Sequence, residues 1–401
     1  MTMTTNNNPL LNCPPLRFPE FSDPWQQTTL GELLEFFPTN SLSWEQLNYS
    51  SGNIYNIHYG LIHKELPIIC SPTSSKLPYI NEEIETGRYC FCKSGDLVIA
   101  DASEDTHDVG KAIELVDCDK VKVLAGLHTI HARSSKDKIA IGFKGYLFAS
   151  NNLREQIKRV AQGTKVYSIS SKLISPLKTS FPSLAEQRKI AEFLSLIDER
   201  IETQRQTIEE RKKQKKALLH QIFSQSLRFP DFSDPWQQTT LGRNVVCHSS
   251  NLTEKDIETD GSIPIWGASG YVGRAEVDNP ITESILIIKD GSGVGRVQYI
   301  KGKHFFLATL NSLSSKSEMV HQKFIYYFLS QFNFRQYVSG SGIPHIYFKD
   351  YSKTSLPLPS LAEQKKIAEF LSLIDERIEV EEKLLGKYEE QKRYLLRKMF
   401  V

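Results

Sequence analysis

From Leu184 to about Ser224 the apolar residues fall at helical spacing. Leu194, Ile197, Ile201, Ile208, Leu218 and Ile222 occupy a and d positions of a heptad, with Gln204, Arg211 and Lys215 at the remaining seam positions and charge elsewhere. The pattern predicts a helix of ~40 residues, about 60 Å long at 1.5 Å per residue. Ser183 stands where an N-cap belongs, and Glu186 three residues on fits a capping box. Arg211, Lys212, Lys213, Lys215 and Lys216 come late in the segment, where they complement the helix dipole. The seam recurs as Leu371, Ile374, Ile378, Leu385, Tyr388, Leu395 and Met399, interrupted by Glu381 and Lys392.

The recurrence is part of a larger duplication. LRFPEFSDPWQQTTLG at Leu16–Gly31 returns 211 residues later at Leu227–Gly242 with only Glu20 replaced, by Asp231. PSLAEQRKIAEFLSLIDERIE at Pro182–Glu202 returns 177 residues later at Pro359–Glu379 with only Arg188 replaced, by Lys365. Two similar frames therefore surround two dissimilar inserts, the first 34 residues longer. No short loop joins the two predicted helices, and the built-in pseudo-two-fold favours antiparallel packing with a globular domain at each end. The outer residues Glu192, Ser195, Asp198, Glu199 and Arg200 match Glu369, Ser372, Asp375, Glu376 and Arg377. An apolar seam alone does not require this. A recent duplication explains it, and so does a partner docking identically on each half.

The inserts share a faint skeleton. Leu124–His128 resembles Leu307–Asn311, and Gly95–Asp101 parallels Ser284–Asp290; the latter stretches read as buried strands ending at turns. Helices with aromatic positions are expected at about 146–160 and 320–337, followed by Gly163 and Gly340. The inserts are read as one mixed α/β fold used twice. Asp290-Gly-Ser-Gly-Val-Gly-Arg296 follows a strand but is neither GxGxxG nor a Walker loop, and Val297–Ile300 looks like another strand. A Gly-rich hairpin loop is the reading. Gly291, Ser292 and Gly293 there, and His345 in a second such loop, are candidates for close approach to a DNA backbone, since glycine exposes N–H donors; an ordinary turn is the alternative. Arg133, Lys136 and Lys138, and Arg296, Lys301 and Lys303, form small basic clusters beside predicted loops, with phosphate contact or a solvated surface as the two readings.

Composition narrows the class. At 401 residues the chain has room for two or three domains. Hydrophobic content of 40% and charge of 24% are those of a folded soluble protein. No signal peptide or membrane-length apolar run is visible, so a cytoplasmic protein is expected. The net charge of +2 neither demands nor excludes nucleic acid. Six cysteines form no CxxC; Cys90 and Cys92 would share a strand face, but reduced buried thiols are the simpler reading. There is no HExxH or GxSxG. Asn12-Cys-Pro-Pro15 resembles an amino-methyltransferase motif only superficially, with Cys intervening and no aromatic after it. No catalytic set recurs between copies.

The residues resemble the specificity subunit of type I restriction–modification systems. The resemblance rests on Thr29-Leu-Gly31 and Thr240-Leu-Gly242, on Ile263–Gly270, on Lys289–Arg296, and on the Pro-Ser-Leu-Ala-Glu-Gln, Lys-Ile-Ala and Ile-Asp-Glu-Arg runs of both helices. It implies two α/β target-recognition domains, at residues 16–181 and 227–358, after a polar tail at 1–15. They are joined by spacer helices at 182–226 and 359–401, packed as an antiparallel coiled coil that sets the gap in a bipartite, asymmetric double-stranded DNA target. It also implies two methyltransferase subunits using S-adenosylmethionine and two motor–nuclease subunits using ATP and Mg, with no cofactor or catalysis in this chain. An enzyme with an unrecognised site and a coiled-coil protein adaptor are the competing readings.

Overall fold

The computed structural model describes residues 4–5, 12–64, 66–134, 137–258, 260–340 and 342–401. Most of the tail expected at 1–15 therefore lies outside the described residues. The chain forms two compact units, Met1–Gln204 with Leu384–Val401, and Arg205–Lys383. Each unit is mixed α/β, and each contains part of both long helices, Leu184–Phe223 and Leu361–Lys398.

In the first unit a five-stranded sheet runs Glu35–Phe37, Thr129–Arg133, Leu97–Ala100, Ala112–Leu115, Ile69–Cys70. A four-stranded sheet lies alongside in sequence, ordered Lys122–Ala125, Ile54–Ile57, Tyr79–Ile80, Leu47–Asn48. Helices Phe143–Ala149 and Asn151–Val160 bury Phe143, Tyr146, Leu153 and Ile157 against the larger sheet's Leu97 and Ile99. The expected helix at 146–160 thus starts earlier and breaks at Ser150, whose side chain caps the second piece by accepting from the Leu153 N–H. In the second unit one six-stranded sheet is ordered Val245–Ser249, Leu310–Ser315, Ile281–Ile288, Val297–Phe306, Ile263–Gly267, Gly270–Ala275. Helix Gln322–Ser330 covers it, ending short of the expected 337; a separate 3₁₀ turn spans Phe334–Tyr337.

The duplicated frame folds alike in both units. Gln26–Thr29 pairs with Lys178–Phe181, and Gln237–Thr240 with Ser355–Leu358. Arg17 grips Glu186 through two 2.7 Å bonds, and Arg228 grips Glu363 at 2.8 and 2.9 Å. The Glu186 carboxylate therefore serves Arg17. Only the Ser183 half of the expected capping box forms, with the Glu186 N–H donating to Ser183 Oγ at 3.4 Å. Gln187 and Gln364, both buried, each donate to the carbonyl five residues back.

Within each unit the long helices run antiparallel. In the first, Lys392 pairs with Asp198 and Arg200 lies over the Tyr388 ring. In the second, Lys215 pairs with Asp375 and Lys212 with Glu382. Asp198 also accepts from Tyr146, and Asp375 from Tyr327. One shared outer aspartate thus ties helix, partner helix and domain together in each unit, which accounts for its repetition. Lys215 and Lys392, polar interruptions in the seam, are the two cations of these bridges. Leu194, Ile197, Ile201, Ile208, Leu371 and Ile378 are buried, and Ile374 and Leu385 partly so. Near the end of the first helix Leu219, Ile222 and Phe223 enter the core, while Leu218 is half-buried.

Hydrogen-bond register relates the two sheets more closely than residue identity does. Ala100 pairs with Thr129 as Ile288 pairs with Leu310. The Asp101 N–H donates to His128 O as the Lys289 N–H donates to Thr309 O. The stretches that look alike in sequence are therefore offset by one residue at Asp101 and two at His128, because an apolar run has no internal mark of register.

Candidate nucleic-acid interface

The segment 289–296 is a hairpin loop between antiparallel strands, as its glycines predict. Gly291 and Gly295 hold φ of 95° and 84°, a region closed to most side chains. Their amides are used within the protein: the Gly291 N–H donates to Pro344 O at 2.9 Å and the Gly295 N–H to Ile288 O at 2.8 Å. Ser292 is exposed, and no Cβ contact would arise at Gly291 within 4 Å. The second Gly-rich loop closes between Ser339 and His345 and packs beside the first, through Gly291 to Pro344 and through the Ile346 N–H to Lys289 O at 2.9 Å. Ile343 at its tip is 70% exposed, and Tyr347, edge-on to His345, is exposed too. Gly291, Ser292, Gly293, His345 and Arg296 are thus gathered into one face by residues some 50 positions apart in the chain.

The first unit carries the same loop pair with different residues. Gly110 donates to Ala100 O as Gly295 does to Ile288 O, and the Ile169 N–H donates to Asp101 O at 2.8 Å as Ile346 does to Lys289 O. Ala102 pairs with Ser168 where Asp290 bridges His345, and Gln162–Ser168 closes a loop through Gly163. Gly163 sits at φ 133°, and a Cβ there would lie 1.9 Å from Val166 O. Val166, 53% exposed, takes the tip position of Ile343. The other loop of the pair, closed by Gly110 and Ala100, reads Ser103-Glu-Asp-Thr-His-Asp108, acidic where its counterpart at 289–296 is glycine-rich, so composition gave no signal of equivalence. Only the 177-residue spacing of Gly163 and Gly340 pointed to it.

The basic clusters divide. Arg133, 23% exposed, is held by Asp96 through two 2.7 Å hydrogen bonds and lies over the Phe37 ring, so its charge is matched inside the unit. The same pairing raises its pKa, and hydrogen bonds from His131 and Arg133 outweigh burial to lower that of Asp96. Lys136 lies outside the described residues, and Lys138 is exposed. Arg296 is exposed at the hairpin loop, but Lys301 and Lys303 lie five and seven residues on, toward the other end of the strand, ~17–23 Å away at 3.3 Å per residue. They belong to a different part of the surface.

Cys90 and Cys92 lie outside any strand. Cys92, Asp96 and His131 are, among the described residues, the group whose ligand atoms come together. Asp96 already accepts from His131, from Arg133 twice and from the Lys93 N–H, so the carboxylate is saturated by protein donors and the cluster reads as a buried polar brace.

Known proteins resemble the chain along its length. A model of the type I restriction modification DNA specificity domain matches residues 22–211 and 244–389. A Methanocaldococcus jannaschii protein named as a type I restriction enzyme specificity subunit is 24% identical over 94% of this chain and 93% of its own. The solved S subunit of a type I restriction–modification system from M. genitalium superposes with TM-score 0.61 at 19% identity, covering 100% of this chain and 99% of that one. A chain from a structure describing complex assembly and conformational transition of the type I system gives TM-score 0.56 at 16% identity, covering 93% and 96%.

Proposed function

Because the chain belongs to the type I restriction–modification DNA specificity family, as its non-catalytic specificity subunit, we propose that its two recognition domains, at 16–181 and 227–358, each read one half of a bipartite DNA target. The observation that carries this is the loop pair: one hydrogen-bond frame, built twice, presents unlike side chains. Dissimilar loops imply dissimilar half-sites and an asymmetric target. The second face offers Ser292, Gly293, Arg296 and His345 with an apolar tip at Ile343; the first offers the acidic loop with an apolar tip at Val166. Carboxylates accept from the exocyclic amines of cytosine or adenine, and aliphatic tips suit a thymine methyl. Lys138, Lys301 and Lys303, apart from these loop faces, are assigned to phosphate elsewhere along the duplex. Arg133 has a bracing role.

Catalysis belongs to partners. Two methyltransferase subunits would use S-adenosylmethionine, and two restriction subunits ATP and Mg. Leu196 and Leu373, 56% and 65% exposed at repeated positions of the long helices, are the positions where substitution would test equivalent docking by the methyltransferase pair. Exchange of residues 32–181 for the block of a related subunit tests the assignment. Sequencing of methylated DNA from cells carrying the hybrid complex should show one half of the motif changed and the other kept. A motif altered in both halves, or in neither, overturns it.

A further inference from the structure

Beside each loop pair lies an open groove walled by the C-terminal part of a long helix. In the second unit it measures about 920 Å³ and is lined by Lys212, Lys215, Lys216, His220 and Arg296. Lys212 and Lys215 are matched by Glu382 and Asp375. Lys216, His220 and Arg296 are exposed with no protein partner among the described residues. In the first unit a groove of about 530 Å³ is lined by His107, Arg154, Lys158, Arg393 and Arg397, with two glutamates. Those glutamates, Glu155 and Glu390, are held by Lys158 and Lys387. Arg154 donates to the carbonyls of His107 and Val109 and keeps a buried Nη1 without a partner.

The two grooves are repeats of each other. Lys216 and Arg393 stand 177 residues apart, as do His220 and Arg397, and Leu219 and Leu396 on the groove wall. This part of the helices differs between the copies: Lys212 and Lys213 correspond to Glu389 and Glu390, of opposite charge. A cation or an imidazole N–H nonetheless remains at both unmatched groove positions. Solvation alone does not demand that, since the neighbouring positions changed sign freely. Each groove also continues the loop face, through Arg296 in one unit and His107 in the other.

We infer that each groove is a grip for the DNA phosphate backbone, placed on the spacer helix and independent of base sequence. The inference rests on the DNA-reading assignment above. Each recognition loop would then be held in register by phosphate contacts from the helix side chains Lys216 and His220, or from Arg154, Arg393 and Arg397. A phosphodiester is the ligand that suits unmatched guanidinium and ammonium groups beside a loop face.

The test uses the full chain purified with its methyltransferase subunits. Lys216→Gln with Arg393→Gln should lower affinity for target and non-target duplexes by one common factor. That factor is roughly eightfold per contact at 0.1 M salt. The slope of log affinity against log salt should flatten by about 1.8 for the two contacts. The methylated motif should stay the same, Lys216→Arg with Arg393→Lys should restore binding, and Lys213→Gln, outside the groove lining, should leave it unchanged. An unchanged slope overturns the inference. So does loss of the methyltransferase subunits from the purified complex, which would make the groove a protein-docking site, and so does an altered motif, which would make it a base reader. If the unsubstituted complex fails to bind DNA, the DNA-reading assignment itself fails, an outcome separate from these.

Discussion

The core of the first unit takes in an aromatic ring from just beyond the helix Leu361–Lys398. Phe400 is 4% exposed and sets its ring against Trp25 at 6.3 Å and Phe143 at 5.6 Å. Here Leu395, Met399 and Phe400 share a cluster with Leu97, Ile99 and Leu194. Phe400→Ala removes a buried ring, a change that costs about 3–5 kcal/mol in a core, and the lower figure of ~3 is used here. For a unit of about 220 residues that is a midpoint lowered by roughly 6–12 °C. Hydrogen exchange read by mass spectrometry separates the units. Phe400→Ala should speed exchange in Leu97–Ala100 and Thr129–Arg133 and leave Ile281–Ile288 protected. Phe223→Ala, against Trp236 and Phe324, should do the reverse. Unchanged exchange in the first unit, or equal loss in both, would refute the assignment of Phe400 to the first core.

Two further outcomes follow from buried charge. Arg17→Met strands the Glu186 carboxylate, 1% exposed, and should destabilise the first unit by about 3–5 kcal/mol, whereas Arg17→Met with Glu186→Leu should recover most of that in urea unfolding; additive losses would show that the pair is not coupled. Burial, then the nearby His128, pushes His58 down from 6.5 to about 4. Between those values the unfolded chain binds the extra proton, so stability falls as pH falls, by about 2 kcal/mol from pH 7 to pH 5. The urea midpoint of the first unit should show this slope, and His58→Phe, keeping the stack on Trp44, should remove that share of it; an equal slope in both proteins sinks the idea.

The long helices were legible because their signal is local. Apolar residues recurring every three or four positions define a buried stripe whatever that stripe meets, and the expected 184–224 is observed as Leu184–Phe223. The hairpin at 289–296 was legible for the same reason, since φ near +90° selects glycine at the residue concerned. What those elements meet was not local. That 289–296 touches 339–345, that an acidic loop in the first unit occupies the place of a glycine loop in the second, and that Phe400 completes the first core all depend on backbone hydrogen bonds and packing between distant segments. Backbone N–H and C=O groups are the same in every residue but proline, so the register that equates Asp101 with Lys289 leaves no mark in side-chain identity. Arg133 shows the converse: a cation in sequence reads as a free charge, and only the fold placed Asp96 opposite it and closed the pair.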